Sequence, residues 1–314
     1  MIISIITATY NRSGVLRNLF KSLVDQNYDD IEWIIVDDGG TDNTGQIVAE
    51  FERKANFGIG YLRTENQGKS AAVNVALDLV AGDMVAIIDD DDYFLPGVFH
   101  KVAADYTSIA DDDTTAGLSY LTVDPEGRTW GKKFPMDRMI SDHYKCRVNE
   151  HVWGDKCEFT KSKVLRENDI RYATGGMRFG FGGETVFFFK VADRGNTLYI
   201  NMPVLVKEYR VDGLSVNWRR NSLENPQLSA EYYAAHLSPK IRPWIRLRYM
   251  VAYVAIMRFA GRPIEDHALA APWNWVLFCL AYIPGAWTGI RWKRYKKKGY
   301  PISKHWLHAG KMTS

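Results

Sequence analysis

Four short apolar runs, spaced by helical patterns, fill the first ~100 positions and constrain the fold more than any other feature. Ile2–Ala8, Ile31–Val36 and Met84–Ile88 are rich in β-branched residues, and Gly58–Leu62 supplies a further strand pattern. Near-continuous apolar runs of this length read as strands buried on both faces. Between them, Val15–Val24 carries Val15, Leu16, Leu19, Phe20 and Leu23 at helical spacing, with Ser13 as a candidate cap. Thr41 or Asp42 is positioned to cap a second helix to about Lys54, and Gly68–Val80 reads as a third. The resulting βαβαβαβ series predicts an α/β fold with a mostly parallel sheet and helices on both faces.

In such a sheet, ligands bind beyond the carboxyl ends of the strands. Three polar clusters follow apolar runs here: Thr7–Arg12, Asp37-Asp38, and Asp89-Asp90-Asp91-Asp92. One cluster alone suits a turn or a helix cap. Three along one edge, one of them four consecutive carboxylates, point to a site. Adjacent aspartates repel unless a positive charge sits among them, and hard oxygen donors suit Mg2+ or Mn2+ bridging to phosphates. In an extended segment Asp89 and Asp91 point to the same side. There is no GxxxxGK[ST] and no glycine fingerprint after the first strand, which disfavours a Walker-type ATPase and a dinucleotide enzyme. The seven histidines show no metal spacing.

The segments IISIITATYNR, IEWIIVDDGGTDNT, ENQGKSAAVNVAL and MVAIIDDDDYFLP, in that order and spacing, resemble family 2 glycosyltransferases with the GT-A fold, over about the first 215 positions. The resemblance implies a nucleotide-diphospho-sugar donor and a metal, Mn2+ or Mg2+, held by the aspartate motif. It places Asp37 and Asp38 at the nucleobase, with Thr7, Thr9, Tyr10 and Arg12 in the adjoining turn. Lys69 falls near the diphosphate or base and Asp90 near the ribose. Asp91 is the best metal ligand, with Asp89 the first member of the pair. The resemblance also implies a carboxylate base at a late helix start. Gly182-Gly183-Glu184-Thr185 fills that position, with Thr185 where relatives often carry Asp, which leaves Glu184. Tyr209-Arg210-Val211-Asp212-Gly213-Leu214-Ser215 resembles the element that follows, with Asp212 where a histidine is common. Arg210 is expected to meet the diphosphate or an acidic neighbour. Trp153 and Trp218 suit either sugar stacking or packing.

The middle is less regular. Residues 115–135 suggest strands around a turn at Asp124–Gly127. Lys161–Glu167 suggests a short helix, Gly175–Gly183 a glycine-rich loop, Glu184–Ala192 a buried helix, and Thr197–Tyr209 further strands. Near residue 240 the composition changes. Residues 240–314 carry a net charge of +12 and six of the ten tryptophans, while residues 1–239 carry −9. The expected organisation is therefore a catalytic domain over 1–239 and a helical, basic, Trp-rich membrane-associating region over 240–314. Neither apolar stretch of that region, Trp244–Ala260 or His267–Ile290, offers the ~20 clean residues of a span. The second is interrupted by Pro272, Asn274, Pro284 and Gly285, and Arg291–Lys298 follows with six cations. This pattern fits monotopic association with an anionic membrane surface, against a buried helical subdomain or a nucleic-acid patch as alternatives.

Three cysteines without CxxC, and a beginning that reads as a strand, fit a cytoplasmic protein without a secretory signal, peripheral on the inner face of the membrane. The expected function is inverting transfer of a sugar, from a UDP-linked donor, to a hydroxyl of a lipid-linked or other membrane-bound glycan, including a polyprenyl-diphosphate-linked one. This places it in cell-surface polysaccharide assembly, with no nucleic-acid partner. The competing readings are a polyprenyl-phosphate glycosyltransferase and a non-catalytic sugar-nucleotide-binding scaffold.

Overall fold

A computed structural model describes residues 1–174, 182–207 and 218–299. The chain forms two compact units, Met1–Gly213 and Leu214–Ser314. The division therefore falls earlier than the change in composition near 240. Composition marks where surface charge changes. The units divide where packing changes, because residues before 240, among them Leu223, Tyr233 and Leu237, belong to the second unit's core.

The first unit is built on a nine-stranded sheet. The strands are β1 (Ile3–Thr9), β2 (Ile31–Asp37), β3 (Gly58–Arg63), β4 (Met84–Ile87), β5 (Tyr93–Phe94), β6 (Thr115–Val123), β7 (Arg138–Ser141), β8 (Lys156–Lys161) and β9 (Asn196–Val206). Their order is β3-β2-β1-β4-β8-β6-β9-β5, with β7 also paired to β9. β3, β2, β1 and β4 are parallel, as expected from the first hundred residues. β8 then enters antiparallel between β4 and β6, β9 runs parallel to β6, and β5 and β7 run antiparallel to β9. The helices are α1 (Leu16–Val24), α2 (Thr44–Glu52), α3 (Lys69–Leu77), α4 (Val98–Thr107), α5 (Ser162–Glu167) and α6 (Gly183–Ala192).

Strand alternation sorts the core into two faces. Ile3, Ile5, Trp33, Ile35, Met84 and Ala86 pack with Leu16, Leu19, Ile47, Phe51, Phe99 and Val102 of α1, α2 and α4. Ile6, Ile34, Val36 and Val85 point the other way, onto Ala72, Val73, Ala76, Leu165 and Phe187 of α3, α5 and α6. A layer of helices on each face explains why the strands are apolar almost throughout. Trp33 is fully buried, stacks on Phe51 and donates its indole N–H to the Thr7 hydroxyl at 3.0 Å.

Two expected caps act differently. Ser13 does not cap α1. Its backbone N–H donates to Asp42 and its hydroxyl to Asn43, at 2.9 and 2.7 Å, tying the turn after β1 to the turn after β2. Asp42 accepts from the N–H and hydroxyl of Thr44, at the entry to α2.

The second unit contains α7 (Trp218–Glu224), α8 (Pro226–Ala235), α9 (Pro243–Ala260), α10 (Asp266–Leu269) and α11 (Asn274–Lys297). Tyr253 to Met257 of α9 are all buried, as befits a helix whose middle, between Arg248 and Arg258, is apolar all round. The apolar stretch read from sequence as a membrane contact is thus largely internal core, with Trp244 exposed at its start. α11 runs through Pro284 and Gly285 without ending. A Cβ at Gly285 would stand 2.7 Å from the Val254 side chain, and one at Gly289 would stand 2.7 Å from the Ala255 carbonyl, so these glycines let α11 press onto α9. Buried Arg246 donates to the Pro272 carbonyl at 2.6 Å and to Asn274, whose amide donates to the Ala268 carbonyl at 2.7 Å. This latch fixes the start of α11. No helix among the described residues is long and apolar enough to cross a membrane.

Candidate active site

The ends of β1, β2 and β4 do converge. After β1, Asn11 takes a left-handed backbone (φ +52°), and its side-chain oxygen accepts the Thr41 N–H at 2.6 Å. Short polar residues adopt that conformation at little cost. Tyr10 is left 42% exposed beside it. Thr9 is buried and donates to Asp90 at 2.8 Å, and Arg12 bridges Asp90 and Asp91 at 2.7 and 2.5 Å. Thr7 is the exception among the expected β1 residues. It is fully buried and engaged by Trp33, because strand alternation turns it into the core.

Asp37 and Asp38 are both buried and organise the loops around them. Asp37 accepts the Gly40 N–H at 2.7 Å and the Tyr61 hydroxyl at 2.9 Å. Burial together with the Asp37 carboxylate pushes the Tyr61 phenol up to about 12. A Cβ on Gly40 would lie 2.7 Å from Asp37 Oδ1, so a larger residue there would have to displace that carboxylate. Asp38 accepts the N–H groups of Gln67 and Gly68, both at 2.8 Å, and so anchors the loop that starts α3.

The four aspartates after β4 have separate environments. Asp89 pairs with Lys69 and lies 3.5 Å from Lys207. Burial works against its charge, but the two ammonium groups hold its carboxyl well below the usual range. Burial pushes Asp90 up to about 6, against Arg12 and Thr9. Burial pushes Asp92 up to about 8, against Lys207 at 3.2 Å. Asp91 meets Arg12.

Lys207, the residue immediately after β9, was not singled out from the sequence. Its ammonium lies within 3.6 Å of Asp89, Asp92 and Asp155. Burial disfavours its charge, yet these carboxylates raise its pKa well above the ordinary value. Its carbonyl accepts the Trp130 indole N–H at 3.1 Å, which locks the end of the strand. The available signal was a lone lysine closing the apolar run Val204–Val206.

Glu184 stands in the first turn of α6. Gly182 takes φ +95°, and a Cβ on Gly183 would meet the Ala173 carbonyl at 2.8 Å and Ser70 at 3.1 Å. This glycine pair lets α6 start close against α3. Glu184 consequently lines one cavity with Lys69, Asp89, Asp92, Tyr172 and Lys207. Burial disfavours the Lys69 charge, but Asp89 and Glu184 outweigh it and raise its pKa. Glu184 itself is exposed, while Phe187 of the same helix packs into the core. Trp153 is also exposed. Arg210, Asp212 and the Trp218 side chain lie outside the described residues. Among the described residues no three His, Cys, Asp or Glu side chains gather as a protein-only metal site.

The family model described as "Glycosyl transferase family 2" matches residues 4–195. The TarS fragment 1–349 of S. aureus, solved with UDP-GlcNAc, superposes with a TM-score of 0.60 at 18% identity, covering 96% of this chain and 93% of that one. A mannosyltransferase of Pyrobaculum calidifontis, solved with GDP-Man and Mn2+, gives 0.52 at 18% identity, covering 92% and 86%. The GalNAc(5)-diNAcBac-PP-undecaprenol β-1,3-glucosyltransferase of Campylobacter jejuni is 35% identical over 97 residues, 30% of this chain and 31% of its own. The matched stretch spans between 18% and 53% of the length of such relatives. The fold is that of the GT-A neighbours, the family match covers the sheet edge where the aspartates gather, and the chain belongs to glycosyl transferase family 2.

Proposed function

We propose that this chain is an inverting, metal-assisted glycosyltransferase. Its donor is a UDP-sugar and its acceptor is a hydroxyl of a lipid-linked glycan in cell-surface polysaccharide assembly, at the inner face of the membrane. The observation that carries the reading is the shared cavity of Glu184, Lys69 and Asp89 at the carboxyl edge of the sheet. The neighbour solved with UDP-GlcNAc supports the donor class, and the relative named for an undecaprenol-linked glycan supports the acceptor class.

In this reading Glu184 accepts the proton of the acceptor hydroxyl. The hydroxyl oxygen attacks the anomeric carbon, the bond from that carbon to the diphosphate oxygen breaks, and the nucleoside diphosphate leaves. Lys69 offers an ammonium to the departing negative charge. The loops organised by Asp37 and Asp38 flank the nucleobase, with Tyr10 presented beside them, and Asp90 faces the ribose. Arg210 is assigned to the diphosphate.

Mg2+ and Mn2+ are commonly held by one or two carboxylates completed by substrate phosphates, and we assign Asp91 with Asp89 to that role, which they would take up by releasing Arg12 and the Lys69–Lys207 pair. When bound, such an ion supplies Lewis-acid stabilisation of the leaving group. Hydrolysis and transfer measured over a panel of nucleotide sugars, with Mn2+, Mg2+ or chelator, test the proposal. UDP-sugar turnover that needs the ion and is nearly lost in Asp91→Asn supports it. Donor binding without any turnover would identify a scaffold instead. Transfer to a bare polyprenyl phosphate would identify the other enzyme class.

A further inference from the structure

α11 exposes Val276, Leu280, Ile283, Trp287 and Ile290. Their spacing of four, three, four and three residues puts all five on one helix face. Leu280 is 61% and Ile283 78% exposed. Buried Leu277, Ala281, Gly285 and Gly289 lie on the opposite face, where the glycines press against α9. The same spacing carries the exposed face on to Arg294 and Lys297, within a run of six exposed cations from Arg291 to Lys298. One face is therefore apolar for about 20 Å and cationic beyond that. Trp273 and Trp275 stand exposed at its apolar end.

We infer that this face of α11 is a docking surface for a bilayer containing anionic lipid. The apolar section sinks among the acyl chains and the cationic end lies at the phosphates. Charge selects this occupant. No acidic residue follows Asp266 in the sequence, so a second copy of the helix brings no counter-charge for the six cations. Anionic headgroups do, and exposed tryptophans suit the headgroup level. The apolar section is too short to cross about 30 Å of hydrocarbon, so the helix lies on the membrane. Of the two apolar stretches that the sequence assigned to this region, α9 is occupied internally and α11 supplies the apolar contact.

The structure provides a probe position. Cys279 is exposed beside the stripe, while Cys146 and Cys157 are buried. The full chain, labelled at Cys279 with an environment-sensitive fluorophore, should shift to the blue with phosphatidylglycerol-containing vesicles and scarcely with pure phosphatidylcholine. Brominated acyl chains should quench that label more than one placed by Lys297→Cys in a Cys279→Ser background. Leu280→Ser with Ile283→Ser should weaken vesicle binding on the order of a hundredfold. These side chains face solvent, so the melting temperature should stay unchanged. Changing Arg291, Arg294 and Lys298 to Gln should weaken binding by a similar order and flatten its salt dependence.

Vesicle binding that ignores either set of changes would overturn the inference. So would a silent Cys279 probe in a chain that sediments as a dimer and becomes monomeric in the Leu280→Ser, Ile283→Ser variant. The readout is vesicle binding, independent of sugar transfer.

Discussion

In the first unit the charged groups around the sheet edge are set against one another: Asp89 between Lys69 and Lys207, Asp90 and Asp91 on Arg12, Asp92 on Lys207. In the second unit the cations of α11 from Arg291 to Lys298 lie exposed, and the interior is held by apolar packing with buried polar bonds that include Arg246 to Asn274 and Ser222 with Ser229. The two arrangements suit different partners. A matched internal network stays assembled before a charged ligand arrives and can exchange an internal partner for a ligand group. Exposed cations beside an apolar stripe have nothing internal to exchange and act by adding to an outside surface. The first depends on which residue stands where, and the second on how many stand together.

The largest expected effect lies in the first unit. Glu184→Gln keeps the size of the side chain and its place at the start of α6 but cannot take up a proton. Turnover should fall by roughly 10²–10⁴-fold. Donor affinity, measured by calorimetry, should be unchanged. Wild-type turnover would move the base elsewhere, with Asp212 the next residue to test.

Next is Lys207→Met. Removing one partner of a buried ion pair costs about 3–5 kcal/mol, because the remaining carboxylates lose their counter-charge. The melting temperature should fall by roughly 10 °C. Adding Asp92→Asn should restore part of the loss. If Lys207→Met melts like wild type, the internal matching is not what holds this edge together.

A third effect separates the units by pH. Burial holds the His236 pKa down to about 4, although its ring bonds the Tyr232 carbonyl at 2.8 Å and stacks on Tyr249 at 3.7 Å. The unfolded chain, with an ordinary value near 6.5, binds the proton more readily. Stability from the neutral ring is therefore complete above pH 6.5 and is lost as pH falls towards 4, by about 3 kcal/mol. Asp90 and Asp92 have raised values, about 6 and about 8, so their effect has the opposite sign. Their contribution is greatest at acid pH and fades as pH rises through those values. Between pH 6.5 and 5, hydrogen exchange corrected for its intrinsic rate should show α8 and α9 loosening while β4 does not. His236→Phe should abolish the acid loosening, and its persistence would assign it to another group.

Much of the first unit was legible in the sequence, because β1, β2 and β4 are mostly apolar runs that end in polar residues. The site followed from those ends. Less legible was β8, whose Lys156, Glu158 and Lys161 look like loop residues. Lys161 is satisfied by the carbonyls of Ile109 and Asp112, at 2.5 and 2.8 Å, and no local pattern announces such partners. Burial lowers the Lys156 pKa to about 8 in the same strand. Lys207 escaped for the same reason, since its meaning comes from Asp89 and Asp92, more than a hundred residues earlier. In the second unit the composition was read correctly as basic and aromatic. Which apolar helix faces inward depends on tertiary packing: both stretches were expected at a membrane, whereas α9 is buried and α11 keeps an exposed apolar face.

The smallest expected effect tests that packing of α11 on α9. Alanine is favoured over glycine in a helix interior by about 1 kcal/mol, so Gly285→Ala would stabilise α11 if its face were free. The new Cβ, however, would stand 2.7 Å from Val254 Cβ and 2.9 Å from the Val251 carbonyl. A backbone carbonyl cannot rotate away as a side chain can, and forcing a methyl into a packed contact costs about 1–3 kcal/mol. The net change should be a loss of about 1 kcal/mol, read as a melting temperature lower by a few degrees. The exposed stripe offers the contrast. Ile283→Ala removes no internal contact and should leave the melting temperature within error of wild type. If Gly285→Ala instead melts higher, α11 does not press on α9 at that position, and the assignment of an inner and an outer face to this helix falls with it.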